Sequence, residues 1–254
     1  MGLAKMTTSI LSPAETTRYA RQMAVPGWGR EAQERLKSAR VLIAGAGGVA
    51  ATAALHLLAS GLGAIRLVDG SRVGLSDLNH HLFFRERDLG KAKAKASERY
   101  LKEINPFALV ETKAKAISRF NVSRLTTGCH LIIDAMQNSL AGFLLNQAAA
   151  KLRLPLVQAW GWEMHGCLTT FWPGRGPCLA CAYPHASLGG LPALMGPLPG
   201  ILGSLQALEA LRILGGLGPA LLGRQLTFRG DRFHFLEKPI KLNPQCQVCR
   251  HLKG

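Results

Sequence analysis

The stretch "ARVLIAGAGGVAATAALHLLASG", residues 39–61, decides the fold. Val41 to Ala44 is an unbroken apolar run with the length of a strand buried on both faces. Gly45, Gly47 and Gly48 interrupt it, and the chain continues in alanine and leucine, the strongest helix formers. Strand, glycine turn and helix in that order suit a phosphate. Glycine lets the backbone approach closely, and the helix N-terminus offers unpaired N–H groups and the positive end of its dipole. Ala50 closes the looser form of this fingerprint. The next strand, "AIRLVDGS" (64–71), runs to Asp69, 21 residues beyond Gly48, where a carboxylate can meet a ribose hydroxyl. These residues point to a nucleotide without choosing between ATP and NAD.

The alternation continues outward from this unit. "GKAKAKASERYLKEINP" (90–106) is a helix stopped by Pro106, "ALVETKAKAI" (108–117) is strand-like, and "CHLIIDA" (129–135) is a strand. "SLAGFLLNQAAAKLRL" (139–154) is a helix, and "PLVQAWGW" (155–162) a strand. This pattern predicts an α/β fold, a Rossmann-like, doubly wound, mostly parallel sheet. After Trp162 it changes. "GCLTTFW" (166–172) is a strand, "GILGSLQALEALRIL" (200–214) a helix, and "RQLTFRGDRFHFLEKPIKL" (224–242) a hairpin, which together predict an antiparallel C-terminal extension. The Arg-Gly-Asp in that hairpin is a turn, not an adhesion motif. Residues 1–12 read as a disordered tail, and 15–37 as a charged helical segment interrupted by "VPGWG". Residues 13–254 form one domain, with a nucleotide-binding part (13–160) and a C-terminal part (161–254).

Four of the six cysteines form two pairs, Cys178-x-x-Cys181 and Cys246-x-x-Cys249. Two such turns complete a tetrahedral sulfur site for structural zinc, with redox-active pairs as the rival reading. The 64 residues between the pairs would let a metal staple the C-terminus to the body of the domain. Cys129 and Cys167 lie in apolar runs and read as buried small hydrophobes.

The chain has 254 residues, a net charge of +16 and a pI near 10.2. Nucleic acid, an acidic membrane surface and an acidic protein or phosphate ligand all suit that charge. Aromatics are only 6%, and no block of like charges occurs, so nucleic-acid binding is not expected. The N-terminus lacks the apolar segment of a signal peptide, and 186–208 is too rich in proline and glycine to span a membrane. A soluble, cytoplasmic protein with no membrane attachment is expected. Lys91, Lys93 and Lys95 alternate; Lys91 and Lys95 share a helix face, and Lys93 projects elsewhere. On spacing alone they are a solvated basic face. Glu163 and His165 in "WGWEMHG" have no nucleophile nearby and read as structural.

Taken together, these motifs resemble the ThiF/MoeB/HesA family, bacterial relatives of the ubiquitin-activating E1 enzymes. The resemblance runs from "RYARQ" (18–22), through "RVLIAGAGGVA", "GLGAIRLVDGSRVGLSDLNHHLFF", "LGKAKA" and "INP", to "CQVC" (246–249). It also takes in "PLVQAWGWEMHGCLTTFWPGRGPCLAC" and "GILGSLQALEALRIL". It implies an E1-like adenylation domain that transfers AMP from Mg-ATP to the C-terminal carboxylate of a ubiquitin-like sulfur carrier ending in Gly-Gly, or of a peptide. An acidic carrier would suit the positive chain. The resemblance assigns Gly45, Gly47 and Gly48 to phosphate, Asp69 to ribose and Lys93 to the phosphates. Ser76, Asp77 and Asn138 fall near the nucleotide. Arg21 would reach the partner's ATP site, implying a homodimer. Cys178, Cys181, Cys246 and Cys249 match the zinc ligands.

Departures from the family pattern cluster at the site. The family's D-x-x-D-N reads Asp134-Ala-Met-Gln137-Asn138 here, so a carboxylate that serves Mg-ATP is Gln137. The family's "SNLQRQ" reads Ser76-Asp77-Leu78-Asn79-His80-His81, which puts His80 in place of arginine and Asp77 in place of asparagine. The usual D-x-D after the second strand is Asp69-Gly70-Ser71. No cysteine lies in "HASLGGLPALMGPLPG" (185–200), so adenylation with a separate sulfur donor is expected rather than a covalent thioester. Arg21, Lys93, His80 and Gln137 are the catalytic candidates. A rival reading is a descendant that keeps the fold, zinc and dimer but serves as a scaffold.

Overall fold

Val41–Ala44 pairs in parallel with Leu131–Asp134 at the centre of an eight-stranded sheet. The computed structural model describes residues 9–136, 139–184 and 193–252. The strands are β1 (Arg40–Ala44), β2 (Ala64–Val68), β3 (Leu109–Lys113), β4 (Leu131–Asp134), β5 (Leu156–Trp162), β6 (His165–Phe171), β7 (Arg224–Arg229) and β8 (His234–Pro239). Their spatial order is β3-β2-β1-β4-β5-β6-β7-β8. β1 to β5 are mutually parallel, and β6 to β8 are added antiparallel. The expected Rossmann-like sheet with an antiparallel extension is therefore one continuous sheet, and β5 runs straight across residue 160.

The strands alternate between two cores. Val41, Ile43, Leu131, Ile133 and Val157 face one, and Leu42, Ala44, Ile132 and Leu156 face the other. Both faces are covered, so the central strands read as continuous apolar runs. The first face carries α3 (Gly29–Ser38), α4 (Gly48–Ala59), α5 (Lys93–Ile104) and α9 (Pro197–Gly215). The second carries α6 (Val122–Thr126) and α7 (Ser139–Leu152), with the short α8 (Leu179–Ala182) beside them. The N-terminal segment forms α1 (Pro13–Arg18) and α2 (Ala20–Met23). The expected tail is too long at residue 12. Ser12 caps α1 in a reciprocal box with Glu15, and Leu11 is buried. Residues 1–8 lie outside the described residues.

The chain winds outward from β1 to β3 and returns to β4 on the other side of β1. That reversal opens a crevice at the C-terminal ends of β1 and β4. Two buried side chains of α9 tie that helix to the sheet and to the segment before β7. Gln206 donates from Nε2 to the carbonyls of Asp134 (2.9 Å) and Val157 (3.1 Å). Glu209 accepts from Thr170 Oγ1 (2.7 Å) and the N–H groups of Ala220 (3.0 Å) and Leu221 (2.9 Å).

α4 and α9 touch almost backbone to backbone. A Cβ at Gly203 would fall 2.4 Å from the Val49 carbonyl oxygen and 2.7 Å from Thr52 Cβ. Neither neighbour can yield without moving α4, whose first turn borders the crevice. Gly203→Ala should therefore destabilise the protein by about 1–3 kcal/mol in chemical denaturation. An unchanged midpoint would show that the two helices have slack there.

Candidate active site

The glycine turn joins β1 to α4. Gly45 has φ of 99°, a left-handed conformation natural to glycine, and its N–H bonds the Val68 carbonyl at 2.8 Å. A Cβ there would also lie 3.1 Å from the Ala135 carbonyl. Gly48 packs under the next loop; its Cβ would meet the His80 carbonyl at 2.5 Å. Gly47 is the open one, with His81 Nε2 at 4.0 Å as the neighbour of its Cβ position. The first backbone bond of α4 runs from Ala51 N–H to the Gly47 carbonyl at 2.8 Å. The N–H groups of Gly48, Val49 and Ala50 thus have no intrahelical partner.

Asp69, almost fully buried, closes the other side. Its Oδ2 accepts from Ala46 N–H (2.7 Å), and its Oδ1 from Ser71 N–H (2.7 Å) and Ser71 Oγ (2.5 Å). Ser71 thus stands against the carboxylate where the family pattern has a second acid.

The three lysines divide sharply. Lys91 pairs with Asp88 and Lys95 with Glu98, both with mostly exposed side chains. Lys93 turns inward and donates to Asp77 Oδ1 at 2.7 Å, with each side chain only 14% exposed. Asp77 Oδ2 accepts from Gly74 N–H at 2.8 Å. Burial pushes the Asp77 carboxyl up, but Lys93 and the Gly74 N–H outweigh it and hold it below the usual carboxylate range. Ser76 lies exposed on the same 3-10 turn.

His80 and His81 follow on this loop. The His80 ring is half-buried, with Nδ1 bonded to Asn79 Oδ1. Burial lowers its pKa, the Lys93 charge adds to that, and Asp77 opposes it. His81 is buried and stacks on Phe84 with ring centres 4.5 Å apart. Burial and then the Lys93 ammonium bring it down to about 4, so it is a neutral imidazole at neutral pH. Sequence reasoning did not select His81; the adjacent histidines following Asp77 were the available signal.

Gln137 and Asn138 lie outside the described residues. Asp134, at the end of β4, is fully buried. It accepts from Met136 N–H (3.0 Å) and Gln158 Nε2 (2.9 Å). Arg21 is exposed and not in its own chain's crevice. α1 and α2 are tied to the far ends of α4 and α5 by Gln22 to the Ser60 carbonyl (3.0 Å) and Arg18 to the Ile104 carbonyl (2.6 Å). α4 has 12 residues and is about 18 Å long, which separates that end from the glycine turn.

The four paired cysteines meet away from the crevice, in a small core with Ala150 and Leu252. Their sulfurs all lie within 4.8 Å of one another. Cys178 is 3.9 Å from Cys181 and 3.6 Å from Cys246, and Cys181 is 3.5 Å from Cys249. A tetrahedron with metal–sulfur bonds of 2.3 Å has edges of about 3.8 Å, so the cluster could hold such a cation. Burial, with the other sulfurs, pushes Cys178 up to about 11 and Cys249 upward as well. Cys129 and Cys167 are buried, as expected. His165 Nδ1 lies 3.6 Å from Asp231, and Glu163 occupies the hairpin turn with φ of 50°. Among the described residues no helix is long and apolar enough to cross a membrane.

The chain matches the ThiF family over residues 19–248. It is 36% identical to the heterocyst HesA protein of Trichormus variabilis, over 94% of this chain and 90% of that protein. It is 33% identical to the sulfur carrier protein adenylyltransferase of Thermus thermophilus, over 92% of this chain and 91% of that one. The fold superposes on E. coli MccB solved with ATP, at a TM-score of 0.82 and 21% identity, covering 92% of this chain and 74% of that one.

Burial raises the Asp134 carboxyl to about 6 against the bonds from Gln158 and Met136. Its folded pKa exceeds its unfolded value of 3.8, so the folded state binds the proton more tightly. The resulting stabilisation is complete below about pH 4 and is lost as pH rises through about 6. Compared with Asp134→Asn, the wild type should lose at most about 3 kcal/mol across that window in denaturant titrations. Parallel pH profiles for the two proteins would refute the assignment.

Proposed function

The chain belongs to the ThiF family, and on that premise we propose that it is an E1-like adenylyltransferase. It would activate the C-terminal carboxylate of a ubiquitin-like sulfur carrier, or of a peptide, with ATP. The observation that carries this reading is Lys93, turned away from its solvated neighbours to a half-buried pair with Asp77, on the loop whose next residues pack on the glycine turn.

A free carboxylate is a poor acyl donor because its leaving group is oxide. Attack of its oxygen on the α-phosphorus of ATP forms the acyl-adenylate and breaks the bond to pyrophosphate. The protein needs only to align these atoms and offset the charge that develops. The free N–H groups of Gly48, Val49 and Ala50 would face phosphate oxygens, and Asp69 the ribose. Lys93 would exchange Asp77 for the phosphates. Arg21, too far from its own crevice, would complete that of a second copy, so the working unit would be a homodimer. The charge of +16 suits an acidic carrier, and a carrier tail ending in Gly-Gly would be slim enough to enter a narrow crevice. The cysteine cluster would hold zinc and fasten the C-terminal segment, with no coordination position left for chemistry.

ATP–pyrophosphate exchange should require an acidic carrier ending in Gly-Gly, and Lys93→Ala should lower it about 100-fold. Mixing Lys93→Ala with Arg21→Ala chains should restore about a quarter of the wild-type rate, because half the dimers would carry one intact site. No restoration would refute the shared site. No exchange with any carrier, together with no ATP binding at millimolar nucleotide, would favour a scaffold. Elemental analysis should find one zinc per chain, and Cys246→Ser should lose it and melt earlier; metal-free native protein would remove the zinc reading.

A further inference from the structure

We propose that Asp77, His80 and His81 form a site for a divalent transition-metal ion, of the manganese, cobalt or zinc class, at the mouth of the crevice. The inference rests on the nucleotide reading for its purpose but not for its chemistry. Each of the three residues offers one donor atom, and these atoms lie within 4.8 Å of one another.

His81 is the independent observation. Its side chain is 1% exposed, and neither ring nitrogen has a hydrogen-bond partner among the described residues. Buried polar atoms are rarely left without partners. Its Nε2 is 3.8 Å from Asp77 Oδ1, too far for a hydrogen bond but near enough for one cation to touch both. The same nitrogen lies 4.0 Å from where a Cβ on Gly47 would stand, beside the turn that phosphate would approach. On His80, the bond between Nδ1 and Asn79 Oδ1 makes Nδ1 the donor and leaves Nε2 with its lone pair. A bond of this kind to the far ring nitrogen orients a ligating imidazole.

The donor set selects the ion. Magnesium favours an all-oxygen shell, whereas two imidazoles and a carboxylate suit transition metals and leave positions for phosphate oxygens. Lys93 Nζ now holds Asp77 Oδ1 at 2.7 Å, so metal and ammonium compete for one oxygen. Metal binding would release Lys93 toward the phosphates.

The test is a Co2+ titration of full-length protein prepared with one zinc per chain, without nucleotide and with a non-hydrolysable ATP analogue. One further Co2+ should bind, with weak visible bands of nitrogen and oxygen ligation and no sulfur charge-transfer absorption. The analogue should tighten it at least tenfold. His80→Gln and His81→Gln should each weaken it at least tenfold, and His56→Gln on the exposed side of α4 should not. Should His81→Gln fail to fold by circular dichroism, His80→Gln, at a partly exposed position, carries the test. No Co2+ bound beyond the resident zinc at millimolar metal, sulfur bands alone, or unchanged affinity in the folded variants would overturn the proposal. Metal binding without carrier-dependent exchange would instead count against the adenylation reading alone.

Discussion

Asp69 holds the ends of two strands and the start of a helix at once. One carboxylate oxygen receives the Ala46 N–H, and the other receives both the N–H and hydroxyl of Ser71. With the bond from Gly45 N–H to the Val68 carbonyl, this fixes the glycine turn against β2. The turn cannot close over the end of β1, so the first turn of α4 presents its N–H groups to the crevice. A ribose reaching Asp69 would most easily displace the Ser71 hydroxyl, which water can satisfy. The Ala46 N–H is buried in the turn and would be orphaned by the same exchange. The carboxylate can therefore serve a ligand with one oxygen while the other keeps the turn in shape.

Features set by local pattern were legible in the sequence. Strand, glycines and helix follow one another without a gap, whereas spacing alone does not show the inward turn of Lys93, which opens α5 while Lys91 lies before it; only the family resemblance singles Lys93 out. The two cysteine turns announce their own convergence. What was not legible depends on partners distant in sequence. Glu209 sits in a helix that reads as apolar, because its partners lie 39 residues before it and 11 and 12 after it, at Thr170, Ala220 and Leu221. The burial of His81 is set by Phe84 and by the approach of Gly48 to the His80 carbonyl, a contact between separate loops. The antiparallel extension expected after Trp162 is joined to β5 by the β5–β6 hairpin, so the change of pattern there falls within one sheet. β3 ends at Lys113 although its apolar alternation continues, since only five of its residues find β2 to pair with.

The half-buried pair of Lys93 and Asp77 constrains how the crevice can take up phosphate. Its two charges offset each other in a site where a lone charge would be costly. If Lys93 moved alone to an incoming polyphosphate, Asp77 would be left facing anionic oxygens at short range, where screening by water is weak. The gain at the lysine would be opposed by repulsion at the carboxylate. A cation that takes Asp77 as the lysine leaves removes that opposition and adds attraction to the phosphates. Nucleotide and cation would then strengthen each other's binding by the same factor, because linkage is reciprocal. A cation held by Asp77 on the loop after β2, as proposed, would be anchored away from position 137, where this chain has Gln137 in place of the family carboxylate. At Asp77 it would meet two imidazoles and the one lysine it must displace.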